Sequence, residues 1–246
     1  MFVTVSVSHI LRPLSLTQHD DPDFRAALNA RYGLVPALAL IHTPGFQDLT
    51  AQQAVPEGQS LGVKRLAIFF SDLRNSTAFY RRYGDATAYR LVCEHFKVMF
   101  AAVARHHGTA VKTIGDGVMG VFTNLLDALR SLAEVQVGLA SLNARSGIPV
   151  EDQLVLKAGL HLGPCIVVTL NGRLDYFGET VNIAARLSAS SAGYDLILSH
   201  ALLAEAAACV LAEELGQLQP LAASLRGLPE TFELHRLIFS TNAARP

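Results

Sequence analysis

The stretch that most restricts the fold is Val111 to Phe122, VKTIGDGVMGVF. Two apolar, partly β-branched runs flank Gly115-Asp116-Gly117, the pattern of a β-hairpin closed by a tight turn. Alone, Asp116 is good turn chemistry and Lys112 an ordinary strand lysine. Two further stretches give them another meaning. RLAIFFSDLRNST (65–77) carries an apolar strand, Lys64 to Phe70, with Asp72 just beyond its carboxyl end, and then enters a small polar loop. LDYFGETVNIAARL (174–187) leads into a helix that sets Asn182 and Arg186 four residues apart on one face. A strand-end carboxylate, a turn carboxylate, a lysine and an Asn/Arg helix face together suit a metal-nucleotide site.

The 246 residues, half of them hydrophobic, suffice for one substantial core with an appendage. A net charge of −1 supplies no basic field for nucleic acid. Cys93, Cys165 and Cys209 are odd in number, far apart and free of any CxxC pattern, which points to a reducing cytoplasm without a disulfide framework or zinc site. The opening MFVTVSVSHILRPLSL has neither the basic start nor the long apolar core of a signal peptide. No uncharged apolar run approaches the length of a bilayer span, so the expectation is a soluble cytoplasmic chain with no membrane insertion.

Residues 2–7 alternate like a short strand, 24–32 suit a helix, and the proline- and glycine-bearing stretch 42–62 reads as a connector. Residues 1–61 thus form a short N-terminal segment, open to a regulatory partner. The main domain runs from 62 to 240, leaving 241–246 as a tail. Within it, Asp85 suits the N-cap of a helix ending at Gly108, with Tyr89, Val92, Phe96, Met99, Phe100 and Val103 on its apolar face. His95, His106 and His107 read as surface or helix-end groups rather than metal ligands. Asn124 can cap a second helix whose Leu125, Leu129, Leu132, Val135, Leu139 and Leu142 recur at helical spacing. Strands are expected at 154–162 and 165–170, with His161 a satisfied core histidine and Asn171-Gly172 a turn. Beyond the Asn182/Arg186 helix come a strand at 195–198, a helix from about His200 through the alanine-leucine stretch, and a closing strand from Thr231 to Ile238. Strands outnumber simple crossovers, which gives an α+β sandwich of ferredoxin-like type, a mainly antiparallel sheet with helices on one face.

Two carboxylates at neighbouring strand ends suit two magnesium ions, which prefer oxygen and accept few protein ligands. The loop from Asp72 to Thr77 offers backbone N–H groups and the Ser76 and Thr77 hydroxyls to a triphosphate, and Asn75 tolerates a left-handed backbone there. In order and spacing, FFSDLRNST, VKTIGDGVMGVF, GLHLGP and RLDYFGETVNIAARL resemble the catalytic domain of class III nucleotidyl cyclases, of the soluble bacterial adenylyl cyclase type. The resemblance implies that Asp72, Asp116 and the Leu73 backbone hold two Mg²⁺ or Mn²⁺ ions. It matches Lys112 and Asp175 to the adenine-selecting pair, Asn182 to the residue that orients the ribose, and Arg186 to the arginine that stabilises the transition state. Arg226 lies near the family's phosphate-binding lysine. The family works as a dimer, with metal aspartates of one subunit facing the purine and transition-state residues of the other. This chain has both sets, which implies a homodimer. Where many relatives carry glycine, the loop after Asp72 has Asn75.

Chemistry favours ATP over GTP. Adenine presents an acceptor at N1 and a donor at its amino group, matching a lysine donor and an aspartate acceptor, whereas guanine reverses that edge. The implied reaction is attack of the ATP ribose 3′-hydroxyl on the α-phosphorus, giving 3′,5′-cyclic AMP and pyrophosphate. The rivals are an inactive cyclase-homology module for nucleotide sensing or dimerisation, a guanylyl cyclase, and a GGDEF-type diguanylate cyclase, whose Gly-Gly-acidic turn is missing here.

Overall fold

The structure, a computed structural model, describes residues 60–170, 173–225 and 231–240. The expectations for residues 2–7 and 24–32, for most of the connector, and for Asn171-Gly172 and Arg226 lie outside the described residues.

The described elements run in the order β1 (Ser60–Leu73), α1 (Ser76–Tyr83), α2 (Asp85–Arg105), β2 (Thr109–Ile114), β3 (Gly117–Phe122), α3 (Leu125–Ser146), a 3₁₀ turn (Val150–Asp152), β4 (Leu156–Leu170), β5 (Arg173–Phe177), α4 (Glu179–Ser190), β6 (Asp195–Ser199), α5 (His200–Leu203), α6 (Ala206–Leu215), β7 (Gly216–Ser224) and β8 (Thr231–Phe239). The sheet order is β2-β3-β1-β4-β6-β8-β7, with β5 pairing β4. All pairs are antiparallel except β4 with β6. This is the expected α+β class. All three cysteines are free, and no described helix is long and apolar enough to cross a membrane.

Alternation along β1 divides the core. Ala67 and Phe69 pack with Met99 of α2 and Leu132 of α3, whereas Leu66 and Ile68 pack with Met119, Val121, Tyr176 and Ala184 of α4. Helices therefore cover both faces, not one as the pattern suggested, because α4 crosses beneath β1 and β4. All six expected α3 positions are buried, and Leu129 and Leu139 are so enclosed that trimming either to alanine would cost about 2–5 kcal/mol. Asn124 caps α3 by accepting from Leu126 N–H, and Gly147 ends the helix in a left-handed turn.

Other local expectations shift. Gly84 rather than Asp85 is the N-cap of α2, leaving Asp85 in the first turn. The buried stripe of α2 is Ala88, Leu91, Val92, His95, Met99, Ala102 and Val103, so Tyr89 and Phe100 are exposed and His95 is a core residue. In place of the two expected strands there is one, Leu156–Leu170. Pro164, which has no N–H to donate, falls where the β1 register slips between Val63 and Leu66, so the ladder continues past it. This long pairing also places Asp72 inside β1, opposite Lys157 of β4. The alanine-leucine stretch splits into α5 and α6, and β7 was not foreseen.

Candidate active site

The first grouping is acidic. Residues Gly115 and Asp116 form the two-residue loop between β2 and β3, with Gly115 at φ 63°, the left-handed position glycine fills without strain. A Cβ added to Gly117 would stand 2.2 Å from the Ser71 carbonyl oxygen, so glycine lets the turn close on the end of β1. Ser71 Oγ reinforces the contact, accepting from Val118 N–H at 3.2 Å and donating to Val118 C=O at 3.4 Å. The Asp116 and Asp72 carboxyl groups consequently come within hydrogen-bonding range. Burial, the Asp116 charge and that hydrogen bond hold Asp72 above the usual carboxylate range, while Lys157 and the Leu73 N–H pull it down. Asp116 Oδ2 is buried without a hydrogen-bond partner among the described residues. Two acceptors pressed together with an unmet oxygen fit a divalent cation. No group of three or more His, Cys, Asp and Glu is placed to hold a metal among the described residues, and a two-carboxylate donor set suits magnesium, which keeps several waters.

Asn75 adopts φ 58° and ψ 26°, the left-handed backbone its residue type allows, and leads into α1 without capping it. The first N–H groups of α1 therefore receive no side-chain cap from Asn75. Asp72, Leu73, Asn75, Ser76, Thr77, Ala78, Arg81 and Arg82 line an open cleft of about 650 Å³. Arg82 is tied to Asp152 at 2.8 Å. Arg74 is drawn aside, its N–H donating to Val155 C=O at 2.9 Å and its guanidinium to Ala192 C=O at 3.2 Å.

The second grouping joins Lys112 and Asp175. Strand β5 folds back over the second face, where Tyr176 packs with Met119 and Val121. Asp175 thereby reaches β2, three strands away from β4 in the sheet order, and its Oδ2 accepts from Lys112 Nζ at 2.6 Å. Asp175 Oδ1 accepts from Tyr176 N–H at 2.8 Å, which fixes the carboxylate. The side chains are 42% and 12% exposed, so a ligand has access to the lysine.

The third grouping is on α4. A Cβ on Gly159 would lie 2.3 Å from Ser188 N, and one on Gly163 2.5 Å from Thr180 Oγ1, so the two glycines of GLHLGP form a seat for the helix. Between them His161 meets Ser199 Oγ at 2.7 Å, the satisfied core histidine expected, and burial lowers its pKa to about 4. Helix α4 buries Thr180, Ile183, Ala184, Leu187 and Ser188. Asn182 and Arg186 are left on the outer side, exposed and half-buried respectively. Neither is brought to the acidic pair of the same chain, and the cation acting on Asp72 is Lys157, not Arg186. Lys157 escaped sequence reasoning. Its signal was its place in GLHLGP's own strand, directly opposite Asp72, visible only once the register was known.

The adenylate and guanylate cyclase catalytic domain family matches residues 59–211. An adenylate cyclase of Podospora anserina is 30% identical over 162 residues, 59% of this chain and 8% of that protein. A putative adenylate cyclase 3 of Rhizobium meliloti is 29% identical over 131 residues, 53% of this chain and 21% of that protein. The matched regions thus span a small part of both relatives. The crystal structure of the adenylyl cyclase CyaB from P. aeruginosa superposes with a TM-score of 0.64, covering 75% of this chain and 98% of that one at 21% identity, a likeness of fold.

Proposed function

Because the chain belongs to the adenylate and guanylate cyclase catalytic domain family, we propose that it is an adenylyl cyclase, with residues 62–240 as the catalytic domain and sites shared across a homodimer. The observation that carries the choice of ATP is the Lys112–Asp175 contact at 2.6 Å. A donor and an acceptor side by side match N1 and the 6-amino group of adenine. Guanine would leave both facing the wrong partner, at about 1–3 kcal/mol for each unsatisfied group.

Asp72, Asp116 and the Leu73 carbonyl would hold two Mg²⁺ or Mn²⁺ ions, which when bound lower the pKa of the attacking hydroxyl and offset phosphate charge. Ser76, Thr77 and the first N–H groups of α1 receive the triphosphate in the cleft beside Asp72. Lys157 adds a positive charge at that end of the sheet. From the other subunit, Asn182 orients the ribose so that its 3′-hydroxyl meets the α-phosphorus in line with the departing pyrophosphate. Arg186, and Arg226 by its place in the sequence, balance the charge that grows on the phosphate oxygens. The 3′-oxygen forms a bond to phosphorus as the bond to pyrophosphate breaks, and no protein nucleophile takes part.

The shared arrangement is supported by the outward face of α4. Within one chain Asn182 and Arg186 point away from the sheet that carries the acids, and a second copy supplies the missing half. ATP as substrate suits a cytoplasmic location. Incubating the purified chain with ATP or GTP and Mg²⁺ or Mn²⁺, then identifying the cyclic product, tests the reading. Cyclic AMP from ATP supports it, whereas cyclic GMP alone, or no product with either nucleotide, rejects it.

A further inference from the structure

Three arginines, Arg74, Arg81 and Arg82, follow Asp72 closely in the chain, and two of them are engaged. The Arg74 guanidinium donates to Ala192 C=O at 3.2 Å. Arg82 Nη1 donates to Asp152 Oδ1 at 2.8 Å, and the Tyr83 hydroxyl donates to the other oxygen of that carboxylate at 2.6 Å, so Asp152 is fixed from two sides. Arg81 is different. It is exposed, lines the cleft beside Asp72, and has neither a hydrogen bond nor an ion pair among the described residues. Successive residues of a helix lie about 100° apart, so Arg82 can meet the Val150–Asp152 turn while Arg81 shares a face with Thr77, four residues earlier. Side-chain bonds on a helix tilt toward its N-terminus, which directs Arg81 back over Thr77 and along the cleft wall. Both Arg81 and Arg82 stand in the last turn of α1, where a cation offsets the helix dipole by about 0.3–1 kcal/mol. That role needs no cleft, and Arg82 already fills it.

We propose that Arg81 is a substrate-binding residue that grips the terminal phosphate of the triphosphate, supplied by the same chain as Asp72 and Asp116. A guanidinium with unengaged N–H groups can donate two parallel hydrogen bonds to phosphate oxygens. Standing one helical turn past Thr77, it meets the group that a diphosphate lacks, and so makes phosphate length part of recognition. The inference rests on the reading of this cleft as the seat of the triphosphate.

The test is isothermal titration calorimetry of the full chain in MgCl₂, with inorganic tripolyphosphate as the probe. Arg81→Gln should weaken binding about tenfold, the loss of one hydrogen bond to a charged group. Arg81→Lys, which keeps the charge without the planar fork, should recover part of that loss. Arg82→Gln should stay within about twofold of wild type, because an exposed charge acting at a distance is screened by salt. Inorganic pyrophosphate, one group shorter, should bind wild type and Arg81→Gln alike. Wild-type affinity in Arg81→Gln, with only its melting temperature lowered, leaves a dipole role and overturns this inference while the cleft reading stands. An equal loss in Arg82→Gln, or an equal loss for pyrophosphate, also overturns it. Wild type that binds no tripolyphosphate rejects the cleft reading and the inference together. Glutamine is a good helix former, and should Arg81→Gln still fail to fold, Arg81→Lys carries the comparison.

Discussion

The acidic pair and the basic-acidic pair are built on the same hairpin and behave in opposite ways. Lys112 and Asp175 satisfy each other at 2.6 Å, and the Tyr176 N–H steadies the carboxylate. Asp72 and Asp116 repel, raise the Asp72 pKa and leave a buried oxygen unmet. One pair is complete within the chain and can only exchange partners; the other is incomplete until something positive arrives. In the proposed function, selectivity for a base belongs with the first arrangement and demand for a cation with the second.

The sharpest way to break this contrast is to remove the acids. Asp72→Ala should lower cyclase turnover at least a hundredfold, on the order of the loss of a key electrostatic group, and Asn182→Ala should do likewise. Mixing the two inactive proteins should restore activity, and a mixture as inactive as its components would rule out a site shared between copies. Next in size is the base preference. Lys112→Ala should erode the ATP-over-GTP ratio of kcat/KM by about tenfold to a hundredfold, corresponding to roughly 1–3 kcal/mol, as measured by competing the nucleotides.

A smaller effect sharpens the same comparison through pH. An acid whose folded pKa is raised takes up protons on folding, so its contribution to stability is present below its ordinary pKa of 3.8 and is lost as pH rises through the raised value. Metal-free protein at neutral pH should therefore gain stability from Asp116→Asn, and the gain should vanish in acid. Because Asp72 is exposed and screened by water, the gain should be less than about 1 kcal/mol in a denaturant melt. Smallest of all, Lys112→Ala should change stability by about 0–1 kcal/mol, since the lysine is half in solvent.

Legibility in the sequence followed the range of the interactions. The α3 stripe was readable because period and burial coincide, and the hairpin because a two-residue glycine turn is a local device. On α2 the same reasoning chose Tyr89 and Phe100 for the core, where the sheet instead meets Ala88, Leu91 and His95. Hydrophobicity named the residues; the helix's rotation on the sheet, a tertiary fact, decided which were covered. Placing α4 on the opposite face, and Lys157 opposite Asp72, required the register of β1 on β4. Strand β7, GQLQPLAAS, mixes polar residues with Pro220 and shows little alternation, so its pairing with β8 was invisible beforehand.

The seat under α4 has a consequence for tolerance. At Gly159 an added methyl would meet backbone, 2.3 Å from Ser188 N, and backbone cannot swing aside as a side chain can. The helix would have to lift, carrying Asn182 and Arg186 outward with it. If these two residues act on the substrate as proposed, a displacement near 1 Å is enough to cost on the order of a hundredfold in rate. Two absent carbon atoms in the middle of a strand thus act as a spacer for the helix face that carries Asn182 and Arg186.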